Sequence, residues 1–182
     1  MEKVKISCII TTYNRPIEVL DRAVCSVKSQ TYGEQFIEII VVNDAPENIS
    51  LAERLEKYCQ EKNVRYIAHE KNMGACVARN TGIKNSTGEL IGFLDDDDEW
   101  LPNKLELLVP YFSDNKIALV YGDYYTQADG ERKIIKRKYY GKRPMKEILL
   151  SNYIGSTSLP LLRKASVVRA GMFDPVIRSS QD

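Results

Sequence analysis

No apolar stretch in this sequence approaches the ~20 residues needed to cross a bilayer, so no membrane-spanning helix is expected. The apolar run from Ile6 to Ile10 is broken by Ser7 and leads into Thr11-Thr12-Tyr13-Asn14, which does not fit a secretory signal. Cysteine is scarce. Cys8, Cys25, Cys59 and Cys76 form no CxxC pair and fall in segments that read as strand or helix, so reduced packing thiols of a cytosolic protein are expected rather than a disulfide or metal framework. The sequons at Asn48 and Asn85 carry no weight in that compartment. His69 is the single histidine, with none to share a metal, and a surface or packing role is expected for it. No glycine precedes Gly33, so the first strand-to-helix turn is not a GxGxxG loop, and no GxxxxGK[ST] occurs anywhere. Net charge is nearly absent at +1, which argues against a generic nucleic-acid binder while leaving a local basic face open. Ten Gly and seven Pro exclude a collagen-like or low-complexity chain.

What remains is ordinary globular material. The 182 residues, 43% of them hydrophobic, suit one domain with a real core. Val4 to Thr11, Phe36 to Val42, Val64 to Ala68 and Gly88 to Leu94 read as strands. Helical patterns separate them, from Pro16 to Gln30, Ile49 to Lys62 and Gly74 to Lys84, and another runs from Pro102 to Phe112. Strands alternating with helices imply a parallel sheet with right-handed crossovers. From Ile117 the pattern changes. Ile117 to Gln127 and Arg132 to Tyr140 flank the turn residues Ala128-Asp129-Gly130. A helix over Met145 to Asn152, a strand over Ser158 to Leu162 and a helix over Ala165 to Ala170 follow. The fold class is α/β, a doubly wound first half with a mixed second half.

Ligands of an open parallel sheet bind outside the carboxyl ends of its strands. Thr11 to Asn14, Asn43-Asp44 and Asp95 to Asp98 all fall at such ends, and this topology brings them to one rim. Four adjacent carboxylates repel one another and raise each other's pKa unless a cation sits among them. Hard oxygen ligands suit Mg²⁺ or Mn²⁺, held by one or two carboxylates plus substrate phosphate oxygens. A solvated acidic turn capping the helix near Pro102 is the plainer alternative. Asp44 reads equally as an Asx-type cap or as an acceptor for a base or ribose, and Tyr13 as a stacking platform or an edge residue. Trp100 is expected to pack under the acidic turn. Arg132 to Lys146 holds eight Lys or Arg in fifteen residues. That is a solvated face by default, or a site for an anionic acceptor or an acidic membrane surface.

Together these residues resemble family 2 glycosyltransferases of the GT-A fold, over essentially the whole chain. Ile6 through Thr11-Thr12-Tyr13-Asn14-Arg15 is similar to the family's opening strand and "TYNR" turn, and Val41-Val42-Asn43-Asp44 to its "VVDD" segment. Asn72-Met73-Gly74 with Ala78-Arg79-Asn80-Thr81-Gly82-Ile83 matches the N-x-G and ARN-x-G-I pattern. Gly88 to Asp98, with Trp100, Pro102 and Leu105, matches the "FLD-x-DD-x-W-x-P" block. The resemblance implies a Rossmann-like nucleotide-diphospho-sugar transferase domain with a mixed, mainly parallel sheet flanked by helices. It divides into a donor-binding half at 1–113 and an acceptor-side half at 114–182.

By the same resemblance, Thr11, Tyr13 and Asp44 would hold the nucleoside of the donor, with Arg79 supporting that pocket or serving structure. Asp95-Asp96-Asp97 would be the DxD-type motif, with Asp97 the metal ligand for Mn²⁺ or Mg²⁺ and Asp96 near the ribose or sugar. Gly171-Met172-Phe173-Asp174 resembles the "G-x-FD" before the family's "ED" pair, here Gln181-Asp182, which makes Asp182 the candidate general base. Two departures stand out: Asn43-Asp44-Ala45-Pro46 replaces the commoner Asp-Asp-Gly-Ser, and Gln181 replaces Glu. The implied reaction is metal-dependent, inverting transfer from a nucleotide-sugar, a UDP-sugar first, to a hydroxyl acceptor. The expected setting is cell-surface polysaccharide or lipid-linked glycan synthesis, in the cytoplasm or at the inner face of the membrane. The chain is expected to stop short of a full catalytic domain. A sugar nucleotidyltransferase and a nucleotide-sugar-binding module without turnover are the competing readings; the first would want a Gly-rich loop that Thr11 to Pro16 does not provide.

Overall fold

The computed structural model describes residues 3–45, 47–128, 130–137, 148 and 152–177. Strand β1 (Ile6–Thr12) is buried at all but one position, as a strand covered on both faces must be. It pairs in parallel with β2 (Ile37–Asn43) on one side and β4 (Leu90–Asp95) on the other. Strand β3 (Arg65–Ala68) lies outside β2, also parallel. Helices α1 (Ile17–Lys28), α2 (Ile49–Glu61) and α3 (Ala75–Asn85) make the crossovers. Asn48 begins α2 by accepting the Leu51 N–H at 3.2 Å, which satisfies one of the helix's otherwise unpaired donors.

The sheet runs β3-β2-β1-β4-β8-β5, where β5 is Leu119–Val120 and β8 is Leu161–Arg163. The chain winds outward from β1 to β3, then returns through α3 to the far side of β1. The strand order therefore reverses between β1 and β4. Strand β8 (Leu161–Arg163) is antiparallel to β4, and β5 (Leu119–Val120) is antiparallel to β8. The architecture is the mixed, mainly parallel α/β sheet flanked by helices that the sequence implies.

Alternation along β1 builds two core layers. Ile6, Cys8 and Ile10 pack with Leu20, Val24 and Val27 of α1, together with Leu55 and Cys59 of α2. Ile9 faces the other way, into a layer with Ile40, Val42, Phe93 and Ala78 and Ile83 of α3. All four cysteines are free, and only Cys25 is exposed.

Four expectations change. The helix expected from Pro102 to Phe112 is α4 (Lys104–Leu108) followed by a 3-10 turn over Val109–Ser113. Pro110 has no N–H to continue the ladder. The strand expected over Ile117 to Gln127 splits at Tyr121-Gly122-Asp123 into β5 and β6 (Tyr124–Ala128). Strand β6 pairs with β7 (Glu131–Ile135) in a separate two-stranded hairpin, and β7 stops well before Tyr140. There the Arg137 N–H donates to the Asp123 carboxylate at 2.6 Å, which closes the hairpin root. Strand β8 begins three residues later than expected, ahead of α5 (Lys164–Arg169). The helix expected over Met145 to Asn152 falls almost wholly outside the described residues. Among the described residues no helix is long and apolar enough to cross a membrane.

Candidate active site

The carboxyl ends of β1, β2 and β4 lie side by side. Thr11 is in register with Asp95, and Thr12 with Asn43. This is the crevice where the strand order reverses, the usual ligand position in such sheets. A groove of about 700 Å³ at the opposite end of the strands, lined by Lys5, Glu38 and Arg65 among others, carries no comparable convergence.

The acidic turn after β4 does not gather its carboxylates. It fans them out. Asp95 points into the loop before β8, where its oxygens meet Thr157 Oγ1 at 3.5 Å and Ser156 Oγ at 3.4 Å, and its N–H donates to Ser158 Oγ. Arg79 reaches the same Asp95 carboxylate from α3 at 3.3 Å and also donates to Thr157 at 3.1 Å. Asp96 turns toward β1 and accepts from Thr12 Oγ1 at 2.7 Å and Arg15 Nε at 3.1 Å. Asp97 faces solvent, its side chain 53% exposed against 7% for Asp96, with Arg15 Nη2 at 3.0 Å.

Repulsion within the run is therefore a secondary influence. Burial raises the Asp96 carboxyl above its ordinary range, with Thr12 and Arg15 opposing and Asp97 adding a smaller push. Burial likewise raises Asp98, opposed by the Ser158 hydroxyl, with Asp95 and Asp97 adding smaller pushes and Lys104 opposing them. Among the described residues no three carboxylate, imidazole or thiol groups converge on one point. That donor set fits a Mg²⁺ or Mn²⁺ ion held by one or two carboxylates, the rest of its shell coming from ligand oxygens and water. Asp97 is an exposed hard-oxygen donor of the run.

Asp44, 5% exposed, follows β2. Its carboxylate accepts the N–H groups of Met73 and Gly74, both at 2.8 Å, and meets His69 Nδ1 at 2.7 Å. His69 Nε2 lies 2.9 Å from Thr81 Oγ1 on α3. His69 is thus not a surface residue; it takes the packing role expected, with both ring nitrogens engaged. It joins β3, α3 and the end of β2. Tyr13 is 51% exposed beyond β1, free to offer a ring face. Asn14, at φ +50°, bends the chain there and accepts from Asn48 Nδ2 at 3.2 Å.

The structure thus brings six of the expected residues and Asp97 to one rim. Asp182 lies outside the described residues. Sequence reasoning missed Thr12 and Arg15, although both stand inside the "TYNR" motif. It also missed Ser156 to Ser158, which no motif marks; a hydroxyl run before a short strand was the available signal. Arg79 is buried, and its Nη1 has no hydrogen-bond partner among the described residues, leaving a donor at this rim to spare. Trp100 packs beneath the acidic turn as expected, its ring against Gly92 and its Nε1 donating to the Ser158 carbonyl at 3.0 Å.

Residues 7–170 match the family model described as glycosyl transferase family 2. The Escherichia coli protein UDP-Glc:alpha-D-GlcNAc-diphosphoundecaprenol beta-1,3-glucosyltransferase WfgD is 32% identical over 68% of this chain and 47% of its own length. The crystal structure of S. aureus TarS 1-349 in complex with UDP superposes with a TM-score of 0.76 at 20% identity, covering 97% of this chain and 52% of that one. The mannosyltransferase PcManGT from Pyrobaculum calidifontis, in complex with GDP-Man and Mn²⁺, gives a TM-score of 0.68 at 19% identity over 99% of this chain and 50% of that one. This chain spans 17% to 63% of the length of the curated relatives it matches.

Proposed function

The chain belongs to glycosyl transferase family 2 and has the GT-A fold, and on that premise we propose that it transfers a sugar, with inversion, from a nucleotide-sugar donor to a hydroxyl of a glycan or lipid-linked acceptor. A UDP-sugar is the first donor to consider, because WfgD is named for UDP-Glc and TarS is seen with UDP. The proposed setting is cell-surface polysaccharide or lipid-linked glycan synthesis, in the cytoplasm or at the inner face of the membrane; the lipid-linked acceptor is suggested by the diphosphoundecaprenol in the name of WfgD.

One observation carries the reading. The exposed Asp97 carboxylate stands where the strand order reverses, flanked by Arg15 and by two neighbours that the chain itself already satisfies. A diphosphate entering this crevice would meet the Arg15 guanidinium, and Asp97 would hold a divalent ion beside it. When bound, that ion supplies Lewis-acid stabilisation of the departing nucleoside diphosphate.

The chain's own residues do the rest. Tyr13 offers its ring to the base, and Thr11 lines the same end of β1. Asp44 uses three of the roughly four hydrogen-bond sites of a carboxylate on its own chain, which leaves one for a base N–H. Arg79 fixes Asp95, Thr12 fixes Asp96 beside the ribose or sugar, and both carboxylates are thereby oriented before the donor arrives. Asp182 is the base that removes the acceptor proton. In this reading residues 1–113 carry the donor half and 114–182 the acceptor-side half.

The test is a panel of UDP-, GDP- and dTDP-sugars with Mn²⁺ or Mg²⁺, read by mass spectrometry for free sugar or sugar transferred to an added acceptor. Release from one nucleotide class is the expected result. Nucleotide binding with no release from any donor would reduce the chain to a binding module, and absence of both would overturn the reading.

A further inference from the structure

The hairpin of β6 and β7 stands apart from the main sheet and belongs to no part of the donor site. Its register sets Tyr125 opposite Ile134 and Gln127 opposite Arg132. Side chains alternate across the two strands, so these four share one face. The other face carries Tyr124 opposite Ile135, and there the Arg137 guanidinium lies over the Tyr124 ring at 4.9 Å. That face turns toward the body of the molecule, because a side chain at Gly155 would collide with Arg137.

Among the described residues the outer face is therefore unpartnered. Tyr125 is 47% and Ile134 52% exposed, a cross-strand aromatic and aliphatic pair left in water. Cations bracket the pair. Arg132 lies on one side of it, steadied by donating to Gln127 Oε1 at 3.2 Å, and exposed Lys136 follows β7 on the other. Glu131 belongs to the opposite face, and the Asp123 carboxylate is tied to the Arg137 N–H at the root. From residue 132 to residue 146 the sequence holds eight Lys or Arg and no Asp or Glu.

We propose that this outer face of the hairpin docks on an anionic phospholipid bilayer. A tyrosine suits the headgroup level, where its ring is buried and its hydroxyl stays wet. Ile134 adds apolar area, and the flanking cations answer the negative surface potential of acidic lipids. Charge complementarity selects this occupant over a second copy of the chain meeting it through the same face, which would set like charges against each other. The hairpin root meets Gly155, whose neighbours Ser156 and Thr157 touch Asp95. Docking there holds the rim close to the membrane surface. The inference does not depend on which donor the rim takes.

Flotation of the full chain with vesicles tests it. Vesicles of phosphatidylcholine mixed with phosphatidylglycerol should carry the protein, phosphatidylcholine alone should not, and high salt should weaken the association. The double variant Tyr125→Ser, Ile134→Ser should lower the bound fraction about tenfold, and Arg132→Gln with Lys136→Gln should lower it similarly while flattening the salt dependence. Both should keep the wild-type melting temperature and its response to nucleotide, which separates failure here from failure of the donor reading. Binding that is absent, insensitive to salt, equal on both lipids or unchanged in both variants would overturn the proposal.

Discussion

His69 carries no motif signal, yet at the residue scale it joins three elements. The Asp44 carboxylate can only accept, so the neutral ring places its proton on Nδ1 and leaves Nε2 to accept from the Thr81 hydroxyl. Replacing it with Phe would leave a buried carboxylate one donor short, a loss of about 1–3 kcal/mol. His69→Phe should lower the melting temperature and weaken nucleoside diphosphate binding, whereas His69→Gln, which keeps one amide donor, should recover part of both. Thermal unfolding with and without UDP checks this; equal behaviour of the two variants would show that the ring's hydrogen bonds do not matter. Asp44 was legible as a strand-end carboxylate. Its partners were not, because His69 lies 25 residues further along and nothing local marks the pairing. The same holds for Asp95 and its hydroxyl loop, 61 to 63 residues apart. Motif reading finds the carboxylates and cannot find what orients them.

Elements were easier to read where periodicity is strong. The first four strands and their crossover helices fall within a few residues of expectation, since buried β-branched runs and amphipathic helices each leave a long pattern. Beyond Leu94 the pattern shortens: α4 ends ahead of Pro110, and the Ile117 run breaks around Gly122 because an edge strand of two residues leaves no period to detect. Helix α3 shows what a motif glycine does physically. Gly82 lies against Ile9 of β1 so closely that an added methyl would overlap the Ile9 side chain. Gly82→Ala should force the helix off the strand and destabilise the fold by about 1–3 kcal/mol, the ordinary cost of overpacking a core. Urea denaturation measures it; an unchanged midpoint would mean that the α3 and β1 contact is looser than the structure shows.

At the scale of the whole molecule, the two halves of the chain are joined beneath the acidic turn. Lys104 Nζ donates to the Ser158 carbonyl at 2.6 Å and sits 4.4 Å from the Trp100 ring centre. Burial pulls its ammonium down to about 7, with Cys8 and Asp98 opposing. The unfolded chain holds this proton up to about pH 10.4, so between pH 7 and that value the unfolded state binds more protons and stability rises with pH. Below pH 7 the cost of burying the charge is present in full. Against Lys104→Met, the wild type should therefore gain melting temperature between pH 7 and pH 9.5; a constant difference between the two would contradict the shift. The near-zero net charge is likewise a balance, the carboxylates after β2 and β4 against the basic run at 132–146. The most direct measurement is calorimetric titration of UDP into the wild type and into Asp97→Ala, each with and without Mn²⁺. The account predicts that Mn²⁺ tightens binding to the wild type, and that the variant keeps its fold but loses this gain. Binding that is indifferent to Mn²⁺, or a gain that survives in Asp97→Ala, would contradict it.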